Sequence, residues 1–536
     1  MKTLTPVSWL VVGAMILLLG CGKSDQRTEA SSDELKPQYG GTFIYAKNGP
    51  PLTLDPALTK ETESTVVVDN IFDALVQQRA GKIAIDPCLA KSWEISKDGK
   101  TYTFHLRTGV TFHDGSAFNA DAVLFSFQRQ GDPKHPFHGK ADFDFWRSFN
   151  MDNIIKSIKA LNDSTVEFNL TSPDATFLNI LSMNFLQIVS PDAMTKYGAD
   201  AYRNPVGTGA FKFVSWNDDG SVVTVANENY WNGRPYVDTL IFKPIPDARQ
   251  RWQALKTGTV SMMSVPDQAD IDEIQNTAGV KVSQQPGVNV AYMAMNMNKK
   301  PFNDLRVRQA IVYAIDREKL VKTVLSQMGR PAKNPIPPNL LGHNDEIRFT
   351  PFDPDKARQL LAEAGFPNGF KCALWTLPVT REYMPNGKLA AEIIQADLKA
   401  VGIETEILIP NFQEYLARRG NGEHELIISG WVGDVPDPHF FFYPLLDKSS
   451  AEQRPSNNAA FYKSEEMHEL IVKGKETFDP LERSNIYKKA CEVFNRDLPW
   501  FTIDHAVAVL PMRDNVMNYL MHASSVRKFD KVWFKR

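Results

Sequence analysis

Cysteine is scarce in this sequence. Only four occur in 536 residues, at positions 21, 88, 372 and 491. They are scattered, and if Cys21 is modified the remaining number is odd, so the sequence indicates neither a clustered metal site nor a disulfide framework. Cys491 has apolar neighbours at helical spacing, which predicts a buried core thiol.

A charge imbalance and long apolar runs are absent as well. The 60 Lys and Arg residues nearly balance the 63 Asp and Glu residues, giving a net charge of -3. This balance provides no excess of basic residues for nucleic acid, and we predict no nucleic-acid partner. After the first 20 residues no apolar stretch reaches the roughly 18 residues of a membrane span, so the body of the chain is not expected to be embedded.

Catalytic motifs are missing too. The sequence has no Gly-x-Ser-x-Gly elbow and no phosphate-binding glycine loop, and neither His424-Glu425 nor His468-Glu469 is followed by the second His of a zinc-protease helix. The best metal candidate is the tract 135–144, with two His and two Asp, but its aromatic residues favour surface packing. We therefore predict a protein that is not an enzyme and carries no metal or cofactor.

The N-terminus has the pattern of an export signal. Lys2 precedes an apolar stretch at 9–19, which is shorter than the roughly 20 residues of a membrane span but fits a signal peptide. Leu18-Leu19-Gly20-Cys21 resembles a lipoprotein box, so we predict a signal peptide at 1–20 and lipidation of Cys21. Residues 21–38 then form a polar, flexible tether.

The body alternates hairpin and helix patterns. The stretch 89–129 combines the Asp98-Gly99 turn, an alternating strand after it, and a helix that Asn119 would cap. Asp218-Asp219-Gly220 predicts another hairpin turn. Further along, Asn303 or Asp304 would cap a helix whose apolar face runs from Val307 to Leu320. Such alternation is typical of mixed α/β lobes.

Several motifs resemble one protein family. The block 89–129 closely resembles the signature of the family 5 extracytoplasmic solute-binding proteins, the receptors of ABC importers for peptides, dipeptides and nickel. Pro205–Phe211 resembles the family's PVGTGPF stretch, with Ala210 in place of the usual Pro. The segment 229–235 and the region from Val290 to Ala310 also match. Within the family, the chain most resembles the dipeptide-binding proteins.

The resemblance implies an α/β, two-lobed fold of the periplasmic-binding-protein type (type II, cluster C) with an extra inserted domain and a hinge. Lobe I would comprise 39–61, 195–286 and 501–536, the inserted domain 62–194, and lobe II 287–500. By the resemblance to the dipeptide-binding proteins of Gram-negative periplasm, a disulfide would be expected in the loop that here spans 446–461, but this chain has no Cys there. The conformation of that loop stays open.

The resemblance also suggests where a ligand binds. A receptor for peptides of many sequences must recognise their shared ammonium, carboxylate and backbone, which calls for a carboxylate, an Arg fork and free backbone groups. Leu374–Arg381 resembles the segment whose Arg binds the peptide carboxylate. Ile428–Asp434 resembles the segment whose Asp binds the ammonium. By this resemblance Gly430 and Val432 would bond the peptide backbone, and Trp431 would wall a side-chain pocket.

The resulting expectation is a lipid-anchored receptor in the cell envelope, facing the periplasm or the cell exterior. As a monomer, it would capture short peptides, by resemblance dipeptides, and deliver them to the permease and ATPase subunits of an ABC importer. Its contact with the membrane would be through the lipid alone. Three alternatives stay open on the same fold: a receptor for haem or a nickel chelate, a receptor for antimicrobial peptides, and a ligand-sensing lipoprotein without transport.

Overall fold

The structure is a computed structural model that describes residues 36–139, 141–524 and 526–536. The predicted signal peptide, Cys21 and most of the tether lie outside the described residues. The described chain mixes strands and helices throughout, which confirms the predicted α/β class.

The strands fall into one large sheet and three small ones. In chain order they are β1 Thr42–Lys47, β2 Val76–Gln78, β3 Ile85–Pro87, β4 Ala90–Ile95, β5 Thr101–Leu106, β6 Ile155–Asn162, β7 Thr165–Leu170, β8 Phe211–Trp216, β9 Val222–Ala226, β10 Thr239–Pro244, β11 Met262–Met263, β12 Val280–Pro286, β13 Asn289–Met295, β14 Gly329–Pro331, β15 Phe370–Trp375, β16 Ile403–Leu408, β17 Leu426–Val432, β18 Trp500–Arg513, β19 Val516–Met517 and β20 Trp533–Phe534.

Most helices begin at a side chain that accepts a hydrogen bond from the first turn, as stable N-termini require. Asn119 caps the helix predicted after it, and Pro480 occupies the first turn of the longest helix. The helices are α1 Thr62–Ile71, α2 Ala120–Gly131, α3 Asp144–Ser148, α4 Met151–Ile154, α5 Phe177–Leu181, α6 Pro191–Tyr197, α7 Ala248–Lys256, α8 Ile271–Gln275, α9 Leu305–Ala314, α10 Arg317–Leu325, α11 Pro354–Glu363, α12 Gly387–Lys399, α13 Phe412–Asn421, α14 His439–Leu446, α15 Lys448–Glu452, α16 Glu465–Glu476 and α17 Pro480–Asp497.

One helix prediction is wrong. The apolar face from Val307 to Leu320 does not belong to a single helix, because α9 ends at Ala314 and Ile315 adopts an extended backbone (φ -106°, ψ 124°). Asp316 then caps α10 by accepting a hydrogen bond from Lys319 N–H at 3.0 Å. A good capping residue in the middle of an apolar pattern ended one helix and began another.

The large sheet has two halves that share the long strand β18. Its first residues pair antiparallel with β13, which continues to β17, β15 and β16. Its later residues pair with β12 and, at Met512, with β11, which leads to β1, β10, β9 and β8. Each half packs its own buried apolar cluster, so β18 is the element that joins two cores.

A separate antiparallel sheet, β4-β5-β7-β6, carries a third core rich in aromatic residues. Phe168 packs edge-on against Phe104 and Phe127, with ring centroids 5.6 and 5.0 Å apart. Asp98-Gly99 forms the β4–β5 turn, where Gly99 has φ +68°, as predicted. The limits predicted for the lobes and the inserted domain stay a prediction.

The motifs behind the family resemblance build a buried junction around Asp73. This carboxylate is 1% exposed and accepts hydrogen bonds from the Thr208 hydroxyl (3.2 Å) and Trp231 Nε1 (2.9 Å). Lys528 Nζ lies 3.3 Å from it. Buried polar groups need such partners, so these motif residues are structural. They tie the segment after α1 to the β8–β9 region and to the C-terminal segment.

Side-chain hydrogen bonds hold the 446–461 loop, whose conformation the sequence left open. The buried Asn458 donates through Nδ2 to the carbonyls of Asp447 (3.2 Å) and Tyr462 (2.9 Å), and its Oδ1 accepts from Tyr462 N–H (3.1 Å). Ser456 donates to the Ser450 carbonyl at 2.8 Å. This network closes the loop without a sulfur bridge.

Candidate functional site

A cavity lies where three distant parts of the chain meet. It contains about 540 Å³ of space that no atom fills, and this figure includes open solvent. Asp434, just after β17, forms one side of it. The remaining lining comes from around α1, from the region of the four-stranded sheet and from the C-terminal segment: Lys60, Glu61, Thr62, Thr65, Gln78, Phe145, Met183, Asn184, Ser524 and Val526.

Asp434 is exposed to this cavity. Among the described residues its carboxylate has no hydrogen-bond donor and no ion-pair partner. The cavity walls surround the group and limit its contact with bulk water. This desolvation, and secondarily the nearby charge of Glu382, raises the pKa of Asp434 to about 6. An unpaired carboxylate in such a place is ready to receive a cation.

Glu382 is a second acidic residue beside Asp434, and sequence reasoning missed it. Burial raises the pKa of its carboxyl group, while a hydrogen bond from Asn289 Nδ2 (3.0 Å) works in the opposite direction. Asn289 is itself fixed, because its Oδ1 accepts from Ala506 N–H at 2.7 Å. The one available signal was the position of Glu382 next to Arg381.

The lining residue Lys60 does not offer a free positive charge to the cavity. Its Nζ lies 2.6 Å from both Asp142 and Asp144. Asp142 also pairs with Arg147. The acidic residues of the tract proposed as a metal candidate are therefore engaged by cations. In the described part of the chain no group of three or more His, Cys, Asp or Glu is arranged to hold a metal.

Strand β17 presents unpaired backbone next to Asp434. Gly433 N–H donates to the Val288 carbonyl at 2.7 Å, which marks a hydrogen-bonded pair at the end of the β13–β17 ladder. In an antiparallel pair, bonded residues alternate with residues whose N–H and C=O groups face the other way. Gly430 and Val432 are of the second kind, so their backbone groups point away from β13.

In the described structure no strand covers the side to which they point, although Gly430 itself is buried. There β15 pairs with β17 only at Leu426 and Ile427, and the Ile428 carbonyl accepts the Tyr415 hydroxyl at 2.8 Å. Beyond Ile428, no strand of the described residues pairs with this edge. An extended peptide could therefore add to the edge through main-chain hydrogen bonds.

Close packing explains the glycine at position 430. A Cβ at Gly430 would overlap the Tyr383 ring and lie 2.6 Å from the Val290 carbonyl oxygen. Trp431 is half-buried and packs against the core of the β13–β17 half, while the Val432 side chain is 39% exposed. Neither side chain lines the cavity of Asp434.

The structure places Arg381 outside this cavity. Its guanidinium lies over the Phe412 ring, 4.9 Å from the centroid, and its Nη1 donates to the Thr380 carbonyl at 3.3 Å. No ion pair within the described residues involves Arg381. Its segment is nevertheless adjacent to the site, because Tyr383 contacts Gly430. The predicted ammonium and carboxylate partners thus do not share one cavity here.

Within the described residues, no helix is both long and apolar enough to cross a membrane.

Known proteins resemble this chain along most of its length. A curated relative of similar length is heme-binding protein A of Haemophilus influenzae, 38% identical over 95% of this chain and 95% of its own. Another is the dipeptide-binding protein of Escherichia coli, 37% identical over 92% and 94%.

Solved structures match as well. HbpA2 from Haemophilus parasuis superposes with a TM-score of 0.88 at 32% identity, covering 92% of this chain and all of that one. The ABC transporter-associated periplasmic binding protein DppA from Helicobacter pylori, in complex with the peptide STSA, gives 0.78 at 36% identity, covering 93% and 99%. These matches show the two-lobed periplasmic-binding-protein fold.

The sequence-family model of the bacterial extracellular solute-binding proteins, family 5, matches residues 84–453 of this chain, which is more than half of the sequence. With relatives above 30% identity along nearly its whole length, the chain belongs to this family of extracellular solute-binding proteins.

Proposed function

We propose that this protein captures short peptides, dipeptides first among them, between its lobes. The observation that carries the proposal is the unpaired Asp434 carboxylate beside the strand edge at Gly430 and Val432, with which no described strand pairs. A free peptide has an ammonium group that can pair with the Asp434 carboxylate. It also has backbone donors and acceptors that can pair with the strand edge. The two features together fit a ligand that is both cationic at one end and extended.

The energetics of this capture are adequate. A charge-assisted hydrogen bond contributes about 1.5–3 kcal/mol, and the main-chain bonds add to it. Binding below micromolar requires about -8 kcal/mol. Several such contacts in a partly desolvated cleft reach that value, so a small ligand without large apolar groups can be held tightly.

Arg381 would bind the peptide carboxylate. Its guanidinium makes no ion pair among the described residues, and its long side chain starts from the segment that covers Gly430. For this role the guanidinium has to leave the Phe412 ring and turn towards the ligand. A peptide amide would then bind more weakly than the free acid, and equal affinity would refute the role.

The names of several relatives support a peptide ligand. Besides the E. coli protein, the relatives include di/tripeptide-binding proteins of Pseudomonas aeruginosa and a dipeptide-binding protein of Pseudoalteromonas in complex with Met-Leu. Trp431, next to the open edge, would wall the pocket of one peptide side chain.

Haem is the second candidate, because one relative is a heme-binding protein. Haem iron is usually held by a His, Cys, Met or Tyr side chain. Among the residues that line the cavity only Met183 belongs to this set, whereas Asp434 suits an ammonium. The cavity chemistry therefore favours the peptide.

The transport role follows from the family's association with ABC importers. The lobes would close on the peptide, and the closed protein would deliver it to a permease whose ATPase subunits supply the energy. Cys21 would carry the lipid that anchors the protein, as a monomer, to the outer face of a membrane. None of these steps requires catalysis by this chain itself.

A thermal-shift screen of dipeptides, tripeptides, haem and nickel tests the ligand class. A ligand at 100 times its dissociation constant stabilises the fold by about 2.7 kcal/mol, which is easily detected. We expect dipeptides to raise the melting temperature most. Stabilisation by haem or nickel alone would refute the peptide proposal.

A further inference from the structure

The chain that follows Asp434 crosses to the opposite side of the cavity. Val435 is 1% exposed and belongs to the aromatic core built on the four-stranded sheet, although β17, just before it, belongs to the large sheet. Phe440 packs against the same core, with its ring centroid 5.5 Å from that of Phe149. The segment 435–440 therefore joins the two sides of the site.

Asp437 is the polar centre of this joint. It is 2% exposed, and Arg483 of α17 donates to both of its oxygens, at 2.6 and 2.8 Å. Oδ2 also accepts from Asn179 Nδ2 at 3.2 Å, and Oδ1 accepts from His439 N–H at 2.9 Å. Arg483 and the His439 amide hold the carboxylate on one side, and Asn179 approaches from the other.

A second contact lies beside it. Lys475 Nζ is 3.2 Å from Asp174, whose side chain is 1% exposed, and the Lys475 carbonyl accepts from Ala175 N–H at 2.8 Å. Asn179, which donates to Asp437, and Asp174, which pairs with Lys475, lie on one short segment, 174–179. Both contacts join that segment to the part of the chain that carries Asp434.

We propose that Asp437 is a positioning residue for ligand capture: fixed by Arg483, it accepts Asn179 and thereby keeps Asp434 in the cavity and the two sides of the site together. This inference rests on the proposed function for the role of Asp434. Asp437 follows Asp434 by only three residues. Loss of the contacts that hold Asp437 would therefore also let the backbone at Asp434 move.

The energetic consequence follows from population arithmetic. If ligand enters and leaves through the open arrangement and only the closed one holds it tightly, the apparent dissociation constant equals that of the closed arrangement divided by the closed fraction. Losing the Asn179 contact lowers that fraction without removing any group that touches the ligand. The same loss speeds reopening, so the effect falls on the dissociation rate more than on the association rate.

Asn179→Ala is the cleanest test, because the buried Asp437–Arg483 pair stays complete. We expect about tenfold weaker binding of Ala-Ala by calorimetry, a dissociation rate raised to match, and a larger radius of gyration in small-angle scattering with subsaturating ligand. Asn298→Ala is the matched control, since that side chain is exposed and makes no hydrogen bond among the described residues. Asn179→Gln, which keeps the amide, should recover part of the affinity.

Wild-type affinity and dissociation rate in Asn179→Ala would overturn the proposal. If the wild-type protein binds no peptide at all, the proposed function fails instead. The positioning role is then judged by scattering of the unliganded proteins. A larger radius for Asn179→Ala than for Asn298→Ala supports it, and equal radii reject it.

Discussion

Asp434→Asn is the substitution with the most distinctive expected result. It keeps the shape of the side chain and removes the charge. Losing one charge-assisted bond to the ligand ammonium, about 1.5–3 kcal/mol, should weaken peptide binding by about 10- to 150-fold. The same change should not destabilise the unliganded protein, because the wild-type carboxylate there has no partner among the described residues.

The sign of the stability effect follows from the pKa. The folded protein raises the pKa of Asp434 to about 6, above the usual value near 3.8. The folded state therefore favours the protonated form, and the stability associated with this group is lost as pH rises through 6. Asparagine cannot ionise. The unliganded variant should accordingly match the wild type at pH 4 and be at least as stable at pH 7.

The assay is calorimetric titration with Ala-Ala combined with thermal unfolding from pH 4 to 8. Asp218→Asn serves as the control, since that residue is exposed in the β8–β9 turn and makes no ion pair within the described chain. A variant that binds Ala-Ala normally, or that melts well below the wild type at pH 7 without ligand, would refute the reasoning.

Three further predictions concern the surroundings of Asp434 and the anchor. Glu382→Gln removes a like charge, so the pKa of Asp434 should fall and the pH below which peptide binding weakens should move lower, as measured by calorimetry across pH. Gly430→Ala forces a methyl group into the Tyr383 ring, so both the melting temperature and peptide affinity should fall; unchanged values would place the ligand elsewhere. Cys21→Ala should release the protein from the membrane fraction and abolish labelling by radioactive palmitate, whereas persistent labelling would exclude Cys21 as the anchor.

Local chemistry made much of the fold predictable. Asn119 and Pro480 began helices where capping rules place them, and Gly99 turned the hairpin that its left-handed φ permits. Cys491 is fully buried in the β13–β17 core, as its helical neighbours indicated. Each of these outcomes depends on a few consecutive residues, which is the information that a sequence displays directly.

Features that depend on distant residues were harder to foresee. Nothing near Asp73 in the sequence announces that Thr208 and Trp231 would meet it, because the partners are more than a hundred residues apart. Glu382 escaped notice for the same reason, since its relation to Asp434 exists only after folding. The break at Ile315 is a local feature that was nevertheless missed. A regular apolar pattern suggested one helix, but the capping residue Asp316 produced two.

The roles of the predicted binding residues stay predictions, and the structure adds to them unevenly. Asp434 lines a cavity without a partner among the described residues, and the ladder geometry leaves the Gly430 and Val432 backbone open. Arg381 lies on Phe412 and outside the cavity. An Arg side chain has many rotamers. A sequence motif therefore predicts where the Arg residue lies along the backbone better than it predicts where the guanidinium lies.

The most direct test of the account is a calorimetric comparison of Ala-Ala with N-acetyl-Ala-Ala. Acetylation removes the ammonium and leaves the backbone and the carboxylate. The account predicts submicromolar binding of Ala-Ala at pH 7 and at least tenfold weaker binding of the acetylated peptide. Equal affinity for the two would contradict the central claim that Asp434 holds the ligand ammonium.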